Sequence, residues 1–166
     1  EKMYDTWRAG SIGTITLEQV HEQTAAVLGI SPEQVALLMG DLWTEYLGSL
    51  NTELYDYFKN LRHKFTTAIL SNSFVGAREK EQAQYGFEDS CDLIIYSHEV
   101  GVSKPDPKIY ELTCQRLKLA PHEIIFVDDV TVIIEAAVDF GLHGVLFENN
   151  QQTISSIESL IAREDT

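Results

Sequence analysis

Ile124-Ile125-Phe126-Val127-Asp128-Asp129 is the stretch that decides the fold. Four apolar residues without a polar break read as a strand buried on both faces, the habit of a parallel sheet. The run ends abruptly in two adjacent carboxylates. At the end of a buried strand Asp128 and Asp129 repel each other and lose hydration, so they favour a bound cation.

Outward from this strand the pattern repeats. Downstream, a helix from about Thr131 to Phe140 closes at Gly141, and His143–Phe147 is a further strand. Asn149-Asn150 then introduces a last helix carrying Ile154, Ile157, Leu160 and Ile161. Upstream, Asp106-Pro107 is an N-cap and first-turn pair for a helix to about Leu117. Asp92–Tyr96 is a strand, the polar stretch Ala77–Tyr85 is a helix stopped by Gly86, and Phe65–Leu70 is a strand ending at Ser71-Asn72. Strands alternating with helices of this length predict βαβ units, a parallel sheet and right-handed crossovers.

Before Lys64 no strand signal occurs. Thr16 with Gln19 reads as a capping box, followed by Leu17, Val20, Thr24, Val27 and Leu28 at helical spacing. Ser31-Pro32 with Gln34 opens a second helix with a Val35, Leu38, Met39, Leu42, Tyr46 stripe. Asn51 caps a third with Leu54, Tyr57, Phe58 and Leu61 on one face. The expected organisation is a helical portion over 1–50 and an α/β portion over 51–166.

The chain has 166 residues, 44% of them hydrophobic, enough for a sizeable core. Its formal net charge of −14 repels phosphate backbones and anionic lipid, which weighs against nucleic-acid and membrane partners. No apolar run approaches the ~20 residues of a membrane span. Two cysteines, Cys91 and Cys114, build neither a disulfide framework nor a paired metal motif, as expected of a cytoplasmic domain. Cys114 reads as core, Glu79-Lys80-Glu81 as a solvated helix face, and the five histidines as surface or structural residues. Trp43, Tyr46 and Tyr4 are candidate pocket residues but read first as packing. Nothing in the sequence sets the oligomeric state.

In open parallel sheets ligands bind outside the carboxyl ends of the strands. Those ends carry Ser71-Asn72, Lys104 in the loop after the second strand, and Asp128-Asp129. Hydroxyl, amide and ammonium suit a phosphoryl group, and carboxylates beside it point to Mg²⁺.

These residues resemble the haloacid dehalogenase (HAD) superfamily of hydrolases over essentially the whole chain. The closest likeness is to its small-capped phosphatase-like branch, which includes the N-terminal phosphatase domain of soluble epoxide hydrolase. Ala68-Ile69-Leu70-Ser71-Asn72 looks like the family's second motif, Gly101-Val102-Ser103-Lys104-Pro105-Asp106-Pro107-Lys108-Ile109-Tyr110 like its third, and Ile124–Asp129 like its fourth. The resemblance implies a Rossmann-like α/β core with a small helical cap. It implies a small-molecule phosphate ester as substrate, with Ser71 and Lys104 as catalytic residues and Ser71 and Asn72 binding the phosphoryl group. Asp129 would ligate Mg²⁺ directly, and Asp128 would act as a second ligand or through water. Ile133 departs from the pattern, since relatives often carry Asn or Gly there.

The family's first motif, a strand ending in Asp-x-Asp that supplies the nucleophile, has no counterpart in the sequence. In the family that strand is central, so its absence is expected to leave the strands ending at Leu70 and Val127 roughly 9.6 Å apart with unpaired edges. The reading is of a truncated chain lacking on the order of 20–40 residues, given usual element lengths. Three alternatives are a non-catalytic phosphate- or partner-binding protein, a dehalogenase-type hydrolase, and a receiver-type domain. The last places its acidic pair first rather than last, and dehalogenases resemble Ser-Ser-Asn where this chain has Asp128-Asp129.

Overall fold

The computed structural model describes residues 2–164. In chain order the elements are α1 (Lys2–Ser11), α2 (Leu17–Leu28), α3 (Pro32–Leu47), α4 (Thr52–Leu61), β1 (Ala68–Ser71), α5 (Ala77–Tyr85), α6 (Phe87–Ser90), β2 (Leu93–Tyr96) and α7 (Ser97–Val100). There follow α8 (Pro107–Leu117), a 3₁₀ turn (Pro121–Glu123), β3 (Ile125–Asp128), α9 (Thr131–Phe140), β4 (His143–Leu146) and α10 (Asn150–Glu164). The class is α/β with short parallel strands, as expected. Helix starts follow the caps: Thr16 and Ser31 each complete a reciprocal capping box with Gln19 and Gln34. Asn51 accepts from the Leu54 amide at 3.3 Å.

Two parallel ladders organise the strands. β1 pairs with β2 in the register Ala68↔Leu93 to Ser71↔Tyr96, and β3 with β4 from Ile125↔His143 to Asp128↔Leu146. Among the described residues these are two separate two-stranded sheets, so each strand has one hydrogen-bonded neighbour. The chain forms two compact units. One comprises 1–50 and 68–103, the other 51–67 and 104–166. Compactness therefore groups β1 and β2 with the N-terminal helices, whereas the sequence suggests a single cut near residue 50.

In the first unit Val20, Val35, Met39, Trp43, Phe74 and Ala77 form the core. The Trp7 and Phe74 rings lie 4.9 Å apart. The Tyr85 hydroxyl donates to the Leu47 and Gly48 carbonyls at 2.8 and 2.9 Å, pinning the end of α3 to the end of α5. In the second unit Ile109, Tyr110, Phe126, Ile133, Ala137, Leu142, Val145 and Ile157 are buried. The Tyr110 ring stands edge-on to Phe126 at 5.8 Å. The Tyr57 hydroxyl donates to Glu158 at 2.9 Å and the Asn51 amide to Asn150 at 2.6 Å, fastening α4 to α10.

Several expectations change. β3 is not buried on both faces: only Phe126 is buried, while Ile125, Val127 and Asp128 are half-buried, because the ladder covers one edge only. Cys114 is half-buried rather than core. The one-turn helices α6 and α7 had no sequence signal, since four residues are too few to show a period. Glu81 is buried at 8% exposure, not part of a solvated face.

Gly13 shows where backbone chemistry limits the first unit. Its φ is +67°, and a Cβ there would lie 1.7 Å from the His98 carbonyl oxygen. Gly13→Ala therefore combines left-handed strain of about 1–2 kcal/mol with a backbone clash. The expected result is a urea midpoint shift corresponding to a loss of more than about 2 kcal/mol; an unchanged midpoint would show that the turn rearranges freely.

Candidate functional site

Two of the expected residues meet in the second unit. The Lys104 ammonium lies 2.6 Å from Asp128 Oδ2, with side-chain exposures of 9% and 7%. The other oxygen, Oδ1, accepts from the Val130 amide at 3.0 Å, and the Asp128 carbonyl accepts from Phe147 at 2.8 Å. Asp128 is thus fixed on three sides where β3 gives way to α9. Lys104 also stands 5.4 Å over the Phe126 ring. Its loop is anchored by Asp106, whose carboxylate accepts from Lys108 N at 3.0 Å and starts α8. The lysine motif and the acidic motif, 24 residues apart, are therefore joined by a direct ion pair.

The field of that pair reaches Tyr110. Burial first, then the nearby Asp128 charge, push the Tyr110 phenol up to about 12. It stays protonated and donates to the Ile133 carbonyl at 3.0 Å. Asp129, one residue further, is exposed. Among the described residues no group of three or more His, Cys, Asp or Glu side chains is placed to hold a metal ion. The donors present suit Mg²⁺ in kind, since it is held by one or two carboxylates with water and phosphate oxygens completing the shell. They do not enclose a cation by themselves.

Ser71 and Asn72 belong to the first unit. Ser71 ends β1, half-buried, opposite Tyr96 in the ladder; Asn72 is exposed just beyond. The sequence missed a buried polar cluster in the same unit. Glu81 of α5 accepts from the Tyr46 hydroxyl at 3.0 Å and from the Tyr96 hydroxyl at 2.5 Å. Burial, then Glu81, raise the Tyr46 phenol well above its ordinary value, while a hydrogen bond with Ser71 acts in the opposite sense. Burial and Glu81 likewise raise Tyr96, with Arg78, 4.8 Å over its ring, opposing. The available signal was Ala77 with Glu81, four residues apart and so on one face of a helix almost devoid of other apolar residues. Of the candidate aromatics, Trp43 is core, and Tyr4 is 69% exposed.

A second buried polar group lies where β1 and β2 end. Ser97 Oγ accepts from the Ser73 amide and donates to the Ser11 carbonyl, each at 2.8 Å. Ser73 Oγ lies 2.6 Å from His98 Nδ1. His98 is therefore a structural residue with partners on another strand end.

Residues 7–141 match the haloacid dehalogenase-like hydrolase family, and the chain belongs to it. Bifunctional epoxide hydrolase 2 of Sus scrofa is 33% identical over 100 residues, which is 58% of this chain and 18% of that protein. D-ribitol-5-phosphate phosphatase of Bacteroides thetaiotaomicron is 26% identical over 113 residues, 64% of this chain and 55% of the relative. The chain spans about a fifth of the length of the epoxide hydrolases it matches. A HAD family enzyme from Bacteroides thetaiotaomicron, solved with magnesium and inorganic phosphate, superposes with a TM-score of 0.72 at 22% identity, over 83% of this chain and 72% of that one. That likeness establishes a shared fold.

Two measurements check this geometry. Lys104→Met leaves Asp128 buried and unpaired, which should cost about 3–5 kcal/mol in urea unfolding, while Lys104→Met with Asp128→Leu should recover most of it. Equal losses in the single and double variants would mean the pair is not buried in solution. His98 behaves as a base whose pKa is lowered, chiefly by burial, so the unfolded chain takes the proton first as pH falls through 6.5. Stability attributable to His98 is present above pH 6.5 and declines below it. His98→Asn should flatten the fall in Tm between about pH 6.5 and 5, and an unaltered slope would assign that fall to other groups.

Proposed function

We propose that this chain belongs to a Mg²⁺-dependent phosphatase that hydrolyses small phosphomonoesters through an aspartyl-phosphate. The observation that carries the reading is the buried Lys104–Asp128 pair at the C-terminal end of β3, with Asp129 beside it. An ammonium and two carboxylates at a parallel-strand terminus suit a phosphoryl dianion and a hard cation together. A dehalogenase needs no such acid pair.

Lys104 offsets charge on the phosphoryl group, while Ser71 donates to a non-bridging oxygen and Asn72 shapes the same site. Asp129, with Asp128 directly or through water, would hold Mg²⁺, which when bound neutralises phosphoryl charge. The helices before Asn51 act as the cap that excludes water and selects substrate. The covalent step needs a carboxylate nucleophile: its oxygen attacks phosphorus, the alcohol leaves with a proton, and water then cleaves the acyl-phosphate. No Asp-x-Asp occurs in the 166 residues. The proposed chemistry therefore takes its nucleophile from a carboxylate that is not in an Asp-x-Asp motif of these residues. The same lack favours one other reading, a phosphate- or partner-binding protein without turnover.

The test is Mg²⁺-dependent hydrolysis of an aryl phosphate by the 166 residues and by any longer natural form of the chain, with Asp129→Asn as control. Turnover by the longer chain alone, lost by more than about 100-fold in the control, is expected. Turnover by the 166 residues themselves places the nucleophile on a carboxylate inside them. Silence from a folded longer chain that still binds phosphate selects the binding protein.

A further inference from the structure

β4 has a strand neighbour on one edge only. The His143 and Phe147 amides donate to the Ile124 and Asp128 carbonyls at 2.9 and 2.8 Å. Alternation along the strand then turns the N–H and C=O of Gly144 and Leu146 away from β3, toward an edge where no strand pairs among the described residues. Natural edge strands are commonly guarded by lysine, proline or a bulge. His143-Gly144-Val145-Leu146-Phe147 holds neither lysine nor proline, and the register of β4 with β3 is unbroken.

A groove runs along this edge between β4 and α10, lined by Gly144, Leu146, Glu148, Ser155, Ser159 and Arg163. Its two charged residues, Glu148 and Arg163, stand at opposite ends. α10 runs back along β4, and at about 1.5 Å per residue Arg163 lies about 20 Å from Asn150, the length of about six strand residues. Arg163 is therefore level with about residue 142, whereas Glu148 lies beyond the C-terminal end of β4. Both side chains are exposed, and among the described residues neither forms an ion pair. On the opposite face of the strand, the Cβ direction of Gly144 points at Val138 and Ile134 of α9. Val138 is 51% exposed, apolar surface beside a bare edge.

We propose that β4 pairs with the β4 of a second copy of this chain, antiparallel about a two-fold axis at Val145. Gly144 of each copy then faces Leu146 of the other in a hydrogen-bonded pair, and four backbone hydrogen bonds fill the groups that the edge leaves open. The same symmetry sets residue 148 of each copy opposite residue 142 of the other, the level of Arg163. Glu148 thus meets Arg163 of the second copy at both ends of the groove. Leu146 of the second copy lies beside Gly144, where no side chain intervenes, and covers Val138. The short side chains of Ser155 and Ser159 leave room for the second α10. Each copy carries a formal charge of −14, but at about 0.15 M salt exposed charges more than about 8 Å apart are largely screened, so the balanced charges of the edge decide. An arbitrary extended peptide fills the backbone groups; a second copy also answers both charges.

The test is sedimentation equilibrium of the 166-residue chain, and of any longer natural form, at up to about 1 mM, the range of weak contacts. A monomer–dimer equilibrium is expected. Glu148→Arg and Arg163→Glu should each raise the dissociation constant about tenfold. An equimolar mixture of the two variants should return it to near the wild-type value, since each offers the charges that the other lacks. Amide hydrogen exchange at Gly144 and Leu146 should slow as concentration rises, while His143 and Phe147 exchange slowly throughout. A chain that stays monomeric overturns the proposal, and so does a dimer that is indifferent to both reversals or leaves the two amides unprotected. Protection of those amides in a monomer gives the edge to another segment of the same chain and overturns it as well. Melting curves of the variants keep loss of fold separate from loss of association.

Discussion

Parallel strand pairing is the constraint on which the rest of this structure depends. Two parallel strands cannot be joined by a tight turn; the chain must cross over and return, which takes a helix's worth of residues. β1 and β2 are therefore separated by α5 and α6, and β3 and β4 by α9. Each crossover brings a strand's C-terminal end to the same edge as its partner's. Short ladders of four residues leave little room for sequence inside the strand, so the polar groups gather at the ends. Ser71, Tyr96 and Asp128 are all last residues of their strands.

The acidic and basic motifs show how that edge is made durable. Asp128 accepts from a backbone amide that begins the following turn and from Lys104, which a capped helix start holds in place. Removing any one partner leaves a buried charge, so these residues are held in place by mutual need. The buried pair shows the physical means by which two distant motifs stay together.

Much of the architecture was legible because its signals are local. Capping residues at Thr16, Ser31, Asn51 and Asp106 mark helix starts through hydrogen bonds made within three residues. The apolar run before Asp128 marks a strand through its composition, although the half-burial of Ile125 and Val127 depends on how many neighbours the strand has, which composition does not encode. Glu81 was misread for a related reason. Its neighbours Glu79 and Lys80 suggest a wet face, while the groups that justify its burial lie 35 and 15 residues away in sequence. The Lys104–Asp128 contact was readable as two motifs and not as an ion pair, because motif order says which edge residues share and not which atoms touch.

The forked hydrogen bond from Tyr85 to the carbonyls of Leu47 and Gly48 has a mechanical consequence. It ties down the C-terminal end of α3, so that any tilt of the helix displaces a residue in proportion to its distance from Leu47. A tilt of about 10° about this point would carry the start of a 16-residue helix through about 4 Å, yet move a residue next to it by only about 0.3 Å. Tyr46 lies one residue from that point. Val35 and Met39 pack the rest of α3 into the core of the first unit, so the helix is held by apolar contact along its length and by two hydrogen bonds at its end.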